Sequence, residues 1–360
     1  MRRWLGVVLA IPFALHAGGF ALSGVGTRAL GMGGAARAVV SDWSAVYWNP
    51  ARLALAPSGQ FGGVVSVLGP DVRYEPRTGL YYYDGGYRLR YAVRNKEEYT
   101  PVPSFGLTLS PGWAGGLNVG AGFFVPFGLG GKYDLFDLPL GYESNEPYPV
   151  YDWQSKISTL VGALGLAKNF GVFQAGLALG VGYTSVELRQ PVAVLSDPRL
   201  PVQYSHFFVD EFLKGSGVHG YVGGGVSYTG VERLSLGLSF QYYTDPTLDG
   251  NVDLALYTPN NPTLREALLA QAQTPEDSAK ADLFLGNVLR SSATGSVKLP
   301  LPWTVGFGVA YQVTPQLKVA YDLSYTAWSR MKELVLHLQG TDPLGEPLDS
   351  TTLAMNWRNT

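Results

Sequence analysis

The stretch Phe173-Gln174-Ala175-Gly176-Leu177-Ala178-Leu179-Gly180-Val181-Gly182-Tyr183 decides the fold. Alternate residues of a strand face opposite sides. One face here reads Phe173, Ala175, Leu177, Leu179, Val181, Tyr183, and the other Gln174, Gly176, Ala178, Gly180, Gly182. The same parity recurs further on. Trp303, Val305, Phe307, Val309 and Tyr311 alternate with Thr304, Gly306, Gly308 and Ala310. Leu317, Val319, Tyr321, Leu323 and Tyr325 alternate with Lys318, Ala320, Asp322 and Ser324. Leu234, Leu236, Leu238, Phe240 and Tyr242 alternate with Ser235, Gly237, Ser239 and Gln241. A soluble sandwich also alternates, with its apolar face as the core. Three details favour lipid outside. The apolar faces run about 9 to 11 residues, the length of a tilted membrane strand. Aromatics close the runs, as in aromatic girdles. The opposite faces are small and polar without strong charge, which suits a lumen partly filled by a plug.

The connections agree. Tight turn signals sit near Pro111-Gly112, Asn169-Phe170-Gly171, Thr229-Gly230-Val231-Glu232 and Thr314-Pro315-Gln316. Long polar excursions join the other ends. Short turns on the periplasmic side and long loops outside are the pattern of an outer-membrane barrel. The expected strands lie near 60–68, 102–110, 115–127, 157–168, 172–188, 218–229, 233–256, 294–312, 316–338 and from about 351. Long loops are expected near 69–101, 128–156, 189–217, 257–293 and 339–350. The loop at 257–293 has a helical spacing in Leu264, Ala267, Leu268, Ala272, Phe284, Leu285, Val288 and Leu289. Such an insert either packs on itself as a cap or offers an apolar catching surface.

Composition narrows the class. The 360 residues include no cysteine, carry a net charge of −2, and are 15% charged, against about 25% in soluble domains. No mature segment has the roughly 20 consecutive apolar residues of a membrane helix. Only helices and closed barrels satisfy every backbone group in lipid, so an antiparallel transmembrane β-barrel of the all-β class is expected. The near-zero net charge gives no footprint for nucleic acid. Without cysteine there is neither disulfide nor thiolate chemistry. The mature histidines His206, His219 and His337 are far apart and have no zinc spacing, so no metal site is expected. Gly31-Met32-Gly33-Gly34-Ala35-Ala36 loosely fits a dinucleotide fingerprint but lacks the surrounding βαβ unit. A barrel hydrolase needs a Ser-His pair held by a third group, and parity makes His219 a lumen residue beside Tyr221 and Gly223. No catalytic residue and no cofactor are assigned, and the chain is not read as an enzyme.

The chain divides into three regions. Arg2-Arg3, the apolar run from Trp4 to Leu15, and the small residues Ala17-Gly18-Gly19 read as an export signal over 1–19, cleaved near 17–19. Residues 20–58 are rich in Gly and Ala, lack strand parity, and end in Trp48-Asn49-Pro50-Ala51. They are a candidate plug ahead of the barrel region 59–360. Pro50 lacks an N–H and forbids regular pairing, and Asn49 can cap a turn.

Here a family resemblance enters. Gly19-Phe20-Ala21-Leu22, Gly24-Val25-Gly26, Gly31-Met32-Gly33-Gly34-Ala35, Asp42 and Asn49-Pro50-Ala51 resemble the FadL-type outer-membrane transporters of hydrophobic compounds, the long-chain fatty acid and toluene transport family. Further matching residues are Pro126-Phe127-Gly128-Leu129 with Tyr133, Leu299-Pro300, Gly306 and Gly308, Asp322, Trp328-Ser329, and Asn356-Trp357-Arg358-Asn359-Thr360. The resemblance implies a 14-stranded barrel with an N-terminal hatch, of which about ten strands fall within this sequence, and a chain truncated at its C-terminus. It implies uptake of a hydrophobic small molecule such as a fatty acid or aromatic hydrocarbon. Loops capture the cargo, a lumen pocket holds it, the hatch moves, and the cargo leaves sideways through the wall. By the same resemblance Phe20 and Leu22 would meet the substrate; Phe124 and Phe127, expected at the end of the third strand near its long loop, would either line the substrate's entry or belong to the aromatic girdle. Asp42, Asn49, Pro50 and Ala51 would set the hatch and its gating. Partners would be the cargo and the outer-membrane lipid or lipopolysaccharide. The alternative is a barrel of this type that docks or shuttles an exported protein.

Overall fold

The computed structural model describes residues 19–22, 24–75, 88, 89, 93–112, 115–195, 200, 204, 206–355 and 357–360. The expected export signal over 1–19, with cleavage near 17–19, lies outside the described residues apart from Gly19. The dominant element is one antiparallel sheet of 13 ladder strands. In chain order these are β1 (Gln60–Leu68), β2 (Thr100–Leu109), β3 (Leu117–Tyr133), β4 (Trp153–Phe170), β5 (Phe173–Leu195) and β6 (His206–Val231). Then come β7 (Leu234–Tyr243), β8 (Thr247–Tyr257), β9 (Val288–Lys298), β10 (Thr304–Gln312), β11 (Lys318–Thr326), β12 (Glu333–Gln339) and β13 (Thr351–Ala354). β1 to β6 pair each with the next, and beyond them the wall splits into two tiers. β6 pairs with β7 along its later half and with β8 along its earlier half. The lower tier continues through β10 and β11, the upper tier through β9, β12 and β13. Three successive passes of the wall are therefore each broken in the middle, at 244–246, 299–303 and 327–332. The sheet is not closed among the described residues: β1 ends its order on one side and β13 on the other. Its shape is that of a barrel wall.

Parity sorts the two faces. On β5, Leu177, Leu179 and Val181 are 49%, 55% and 64% exposed, while Gln174 and Ala178 on the other face are 1% and 0% exposed. Phe170, Phe173 and Tyr311 mark the lower edge of this outward apolar band, and Tyr183 and Tyr325 the upper. The band runs ten residue steps along β5, from Phe173 to Tyr183, about 33 Å of strand at about 3.3 Å per residue. At a tilt of about 40° this is the ~25 Å height of an outer-membrane apolar belt.

Several strands are longer than the alternation suggests. β5 and β6 occupy most of 189–217, where a long loop is expected, and β3 and β4 extend into 128–156. Above the apolar band, cross-strand polar pairs hold the ladder together instead of alternation. Arg189 donates two hydrogen bonds to Asp210 at 2.7 and 2.6 Å, and Gln190 donates to Glu211 at 2.9 Å. Two short helices lie within the 257–293 region, α3 (Pro262–Gln271) and α4 (Pro275–Asp282), numbered after α1 and α2 described below. Asn261 caps the first, and Thr274 with Asp277 forms a capping box on the second. They fold over an aromatic cluster of Phe136, Tyr142, Phe208, Leu256 and Phe284 that roofs the upper end.

The lower lumen is filled by the N-terminal segment. It contains α1 (Thr27–Gly31), α2 (Ala45–Trp48) and a 3-10 turn over Pro50–Leu55. Wall glycines make room for it. A Cβ on Gly176 would sit 2.4 Å from the carbonyl carbon of Pro50, so only glycine lets the two backbones meet there.

Candidate functional site

The site is a window in the wall between β2 and β3. These strands pair only from Phe105↔Phe123 to Leu109↔Val119. Above that, β2 keeps its other neighbour, β1, up to Thr100, and β3 keeps β4 up to Tyr133. The two edges diverge for physical reasons. Gly59 N–H donates to the Thr108 carbonyl, so the backbone groups of Thr108 face β1. Alternation then turns the nitrogens of Pro101 and Pro103 towards β3. Proline has no N–H to offer, so this edge cannot make a regular ladder. On the other side β3 carries a bulge, with Phe124 opposite Val161 and Phe127 opposite Thr159, and Pro126 sits inside it. The top of the window is closed by Lys96 N–H donating to the Lys132 carbonyl at 2.7 Å. Asn95 secures that loop, donating to the Pro70 carbonyl and accepting from Val72 N–H.

The start of the described chain crosses the inner side of this window. Leu22 N–H donates to the Pro126 carbonyl and Gly128 N–H to the Phe20 carbonyl, both at 2.8 Å. Ala21 thereby bridges to Phe127 as an added strand residue. A cavity of about 500 Å³ occupies the window. Leu22, Leu68, Val102, Val125, Leu129 and Leu160 make its apolar part, and Lys96, Glu98, Lys132, Gln154 and Lys156 its polar rim. Glu98 lies 3.5 Å from Lys96 Nζ and 3.2 Å from Lys132 Nζ. Loss of solvent pushes the Glu98 carboxyl up, but hydrogen bonds and charge from Lys132 and Lys96 outweigh it and hold it below the usual carboxylate range.

Phe20 lies just inside, in a cage of aromatic rings. Its centroid is 5.5 Å from Phe127, 4.8 Å from Trp328 and 5.5 Å from Trp357. Trp328 comes from the break between β11 and β12, so the broken strands fold inward to form the far side of the cage. That fold is held by Arg330, which donates to Asp245 with both oxygens at 3.0 Å and to the Leu301 carbonyl at 2.6 Å.

The residues picked from sequence fall into separate groups. Leu22 lines the window cavity. Phe20 and Phe127 form the cage beneath it. Phe124 is fully buried against Tyr47 and Tyr221 at 5.0 and 5.6 Å, so it touches the N-terminal segment. Phe124 and Phe127 sit in the middle of β3, not at its end near a loop, because the strand runs on through Gly128, Gly130 and Gly131. Asp42 accepts from Ser44 N–H and Ser44 Oγ at 2.8 and 2.6 Å, starting α2. Asn49 is fully buried; it donates to the Arg37 and Val226 carbonyls and accepts from Ala51 N–H. It thus ties segment to wall, with Pro50 and Ala51 seated against Gly176.

The strongest tie escaped the sequence reading. Asp322 Oδ2 accepts from the N–H groups of Ala36 and Arg37 at 2.9 Å and from Arg37 Nη1 at 3.3 Å. Arg37 also donates to Ser239 Oγ and lies over the Trp48 ring. Arg52 is buried as well, donating to the Val40 carbonyl and Ser227 Oγ. Among the described residues no group of His, Asp or Glu side chains is placed to hold a metal, and no helix is long and apolar enough to cross a membrane.

Comparison with known proteins gives one consistent result. The profile described as outer membrane protein transport protein (OMPP1/FadL/TodX) matches residues 8–360. Outer membrane protein P1 of Haemophilus influenzae is 24% identical over 377 residues, covering 93% of this chain and 72% of that protein. The toluene transporter TodX of P. putida superposes with a TM-score of 0.62 at 17% identity, over 95% of this chain and 77% of that one. A FadL homologue of Pseudomonas aeruginosa gives 0.61 at 16% identity, over 95% and 75%. The toluene transporter TbuX of Ralstonia pickettii gives 0.57 at 19% identity, over 94% and 80%.

Proposed function

The chain belongs to the OMPP1/FadL/TodX family of outer membrane transport proteins, and from that premise we propose that it takes up hydrophobic small molecules and releases them sideways through the window between β2 and β3. The single observation that carries this reading is the window itself: an apolar cavity set in the wall, with the N-terminal segment laid across its inner side. Residues 20–58 act as the hatch. Cargo passes the roof of loops and α3–α4 and competes with Phe20 for the aromatic cage. When the Phe20 ring leaves, the two backbone bonds to β3 go with it, and the path from cage to window opens.

The gain is avoidance of water. An apolar solute moving from cage to window to hydrocarbon keeps its surface dry, worth about 25 cal/mol per Å². Leu22 then guides cargo through the window. Asn49, Pro50, Ala51 and Asp42 keep the rest of the hatch seated during this exchange. No chemistry on the cargo is needed, and the chain is proposed as a transporter, not an enzyme.

The test is mass spectrometry of small molecules extracted from full-length protein purified from outer membranes. A retained fatty acid or hydrocarbon, lost on Phe20→Asp because that variant puts a carboxylate at the apolar cage, is the expected result. A protein that holds no small molecule but brings an exported protein with it would replace this reading with a docking role.

A further inference from the structure

Beneath the window the outer face of the wall is hollowed. A shallow depression of about 700 Å³ crosses β1 to β5, floored by Ala121 and Gly162 and walled by Phe61, Phe105, Phe123 and Leu164. A Cβ on Gly162 would meet nothing within 4 Å, so the hollow is not forced by packing from within. It lies inside the apolar band, where lipid covers the wall.

The hollow and the window share one face of β4. Lys156, Ser158, Leu160, Gly162 and Leu164 follow at two-residue spacing, and therefore project the same way. The first three line the window cavity and the last two the hollow. From Lys156 to Gly162 is about 20 Å of strand at about 3.3 Å per residue. At a tilt of about 40° that is about 15 Å of depth; Leu160 pairs with Tyr183 at the upper edge of the apolar band, so about 10 Å of it lies above the band and about 5 Å within it.

The upper end carries excess positive charge. Lys96, Lys132 and Lys156 stand there with two carboxylates, while Lys214 next to them is flanked cross-strand by Asp249 and Asp253 on the same face. Glu98 is shared by Lys96 and Lys132. Glu187 lies cross-strand from both Lys156 and Lys214 and accepts a hydrogen bond from Gln154. Lys214 Nζ also rests 4.8 Å from the Phe212 ring centroid. Basic groups at headgroup depth attract lipid phosphate, and three lysines against Glu98 and Glu187 leave a net positive charge to meet it.

We propose that this composite is a docking site for a phosphorylated outer-leaflet lipid, with its phosphate on Lys132 and Lys156 and one acyl chain in the hollow over Gly162. The lipid so placed covers the outer side of the window. The inference rests on outer-membrane placement alone, not on which cargo passes.

Native mass spectrometry of the full-length protein in mild detergent tests it, with lipid A as probe and phosphatidylethanolamine as the zwitterionic control. Gly162→Phe fills the hollow from outside and should cut lipid A retention by about tenfold or more. Lys132→Glu with Lys156→Glu should do the same. Gly224→Phe is the matched control: it stands opposite Leu177 and Phe240 in the same band, and its Cβ also meets nothing within 4 Å. It should retain lipid A as the parent does. The proposal is overturned if Gly162→Phe holds as much lipid A as the parent, or if phosphatidylethanolamine is held as firmly as lipid A.

Discussion

Replacing Asp322 by Asn should loosen the N-terminal segment from the wall, and the structure sets the size of the effect. The carboxylate and the Arg37 guanidinium are 7% and 5% exposed, so both are desolvated. Three donors converge on Oδ2: the N–H groups of Ala36 and Arg37, and Nη1 of Arg37. Removing one partner of a buried pair leaves an uncompensated charge, at a cost of about 3–5 kcal/mol. At about 1.4 kcal/mol per tenfold, the undocked population of the segment rises from roughly a hundredfold to several thousandfold. Trypsin reads this directly. Arg52 is 6% exposed, and cleavage after it requires the segment to leave the wall. If reseating is faster than cutting, the cleavage rate follows the undocked population. Arg28 is exposed in the docked state and serves as the internal reference. Asp322→Asn should therefore speed cleavage at Arg52 about a hundredfold or more while leaving Arg28 unchanged. The double variant Arg37→Met with Asp322→Leu removes both charges and should be less sensitive than Asp322→Leu alone, because contacting residues do not add. A change below about threefold for Asp322→Asn, under about 0.7 kcal/mol, refutes the reasoning, as does simple additivity in the double variant.

Two further outcomes follow from the window. Pro101→Val with Pro103→Val restores two edge donors facing β3; it should narrow the window and slow uptake of a hydrophobic tracer by about tenfold, in line with a barrier raised by about 1.4 kcal/mol, without lowering the thermal midpoint. Unchanged uptake would mean that the prolines do not hold the edges apart. The Glu98 carboxyl is held low, so its pairing with Lys96 and Lys132 is intact above its unfolded pKa and is lost as pH falls through its lowered folded one. The stability gap between parent and Glu98→Gln should therefore be flat from neutral pH down to about pH 4 and vanish below it. The gap itself is at most about 1 kcal/mol because the group is half exposed, and thermal midpoints measured across pH check the sign.

Alternation carries the wall because it survives whatever covers either face. Leu177, Leu179 and Val181 can be placed in lipid from the sequence without knowing any neighbour. The upper strands lack that signal. Arg189, Gln190, Asp210 and Glu211 look like loop residues, and only the partner strand shows that they pair. Phe124 and Phe127 mislead for a different reason. Three residues apart, they should face opposite sides, but the extra residue of the bulge turns both inward. Two of the three wall breaks have visible prolines, Pro246 in the first and Pro300 and Pro302 in the second; the third, 327–332, has none, and nothing local says that the breaks align and bring Trp328 to Phe20. Arg37 and Asp322 are 285 residues apart in sequence, beyond the reach of any local pattern. At the site itself, Phe20 and Leu22 came from a motif, whereas the edge facing of Pro101 and Pro103 needs the register of β1 on β2.

The two irregularities of the wall meet at one side chain. The bulge in β3 supplies Phe127, and the break between β11 and β12 supplies Trp328; the Phe20 ring touches both. The backbone of the same residue is bonded to β3 through Gly128 N–H, and Leu22 beside it is bonded to Pro126. Cage occupancy and window closure are therefore properties of a single short segment. A ligand that binds only the vacated cage shifts the equilibrium by its affinity for that state and for no other. The same shift must unseat Leu22 from the window, because three residues cannot leave the cage at one end and stay paired at the other. On the proposed mechanism, gating thus needs no movement of the packed lower segment anchored by Asn49, Arg37 and Arg52. Asp322→Asn, which frees that lower segment, and Phe20→Asp, which puts a carboxylate at the apolar cage, should act separately: the first on trypsin cleavage after Arg52, the second by lowering ligand retention.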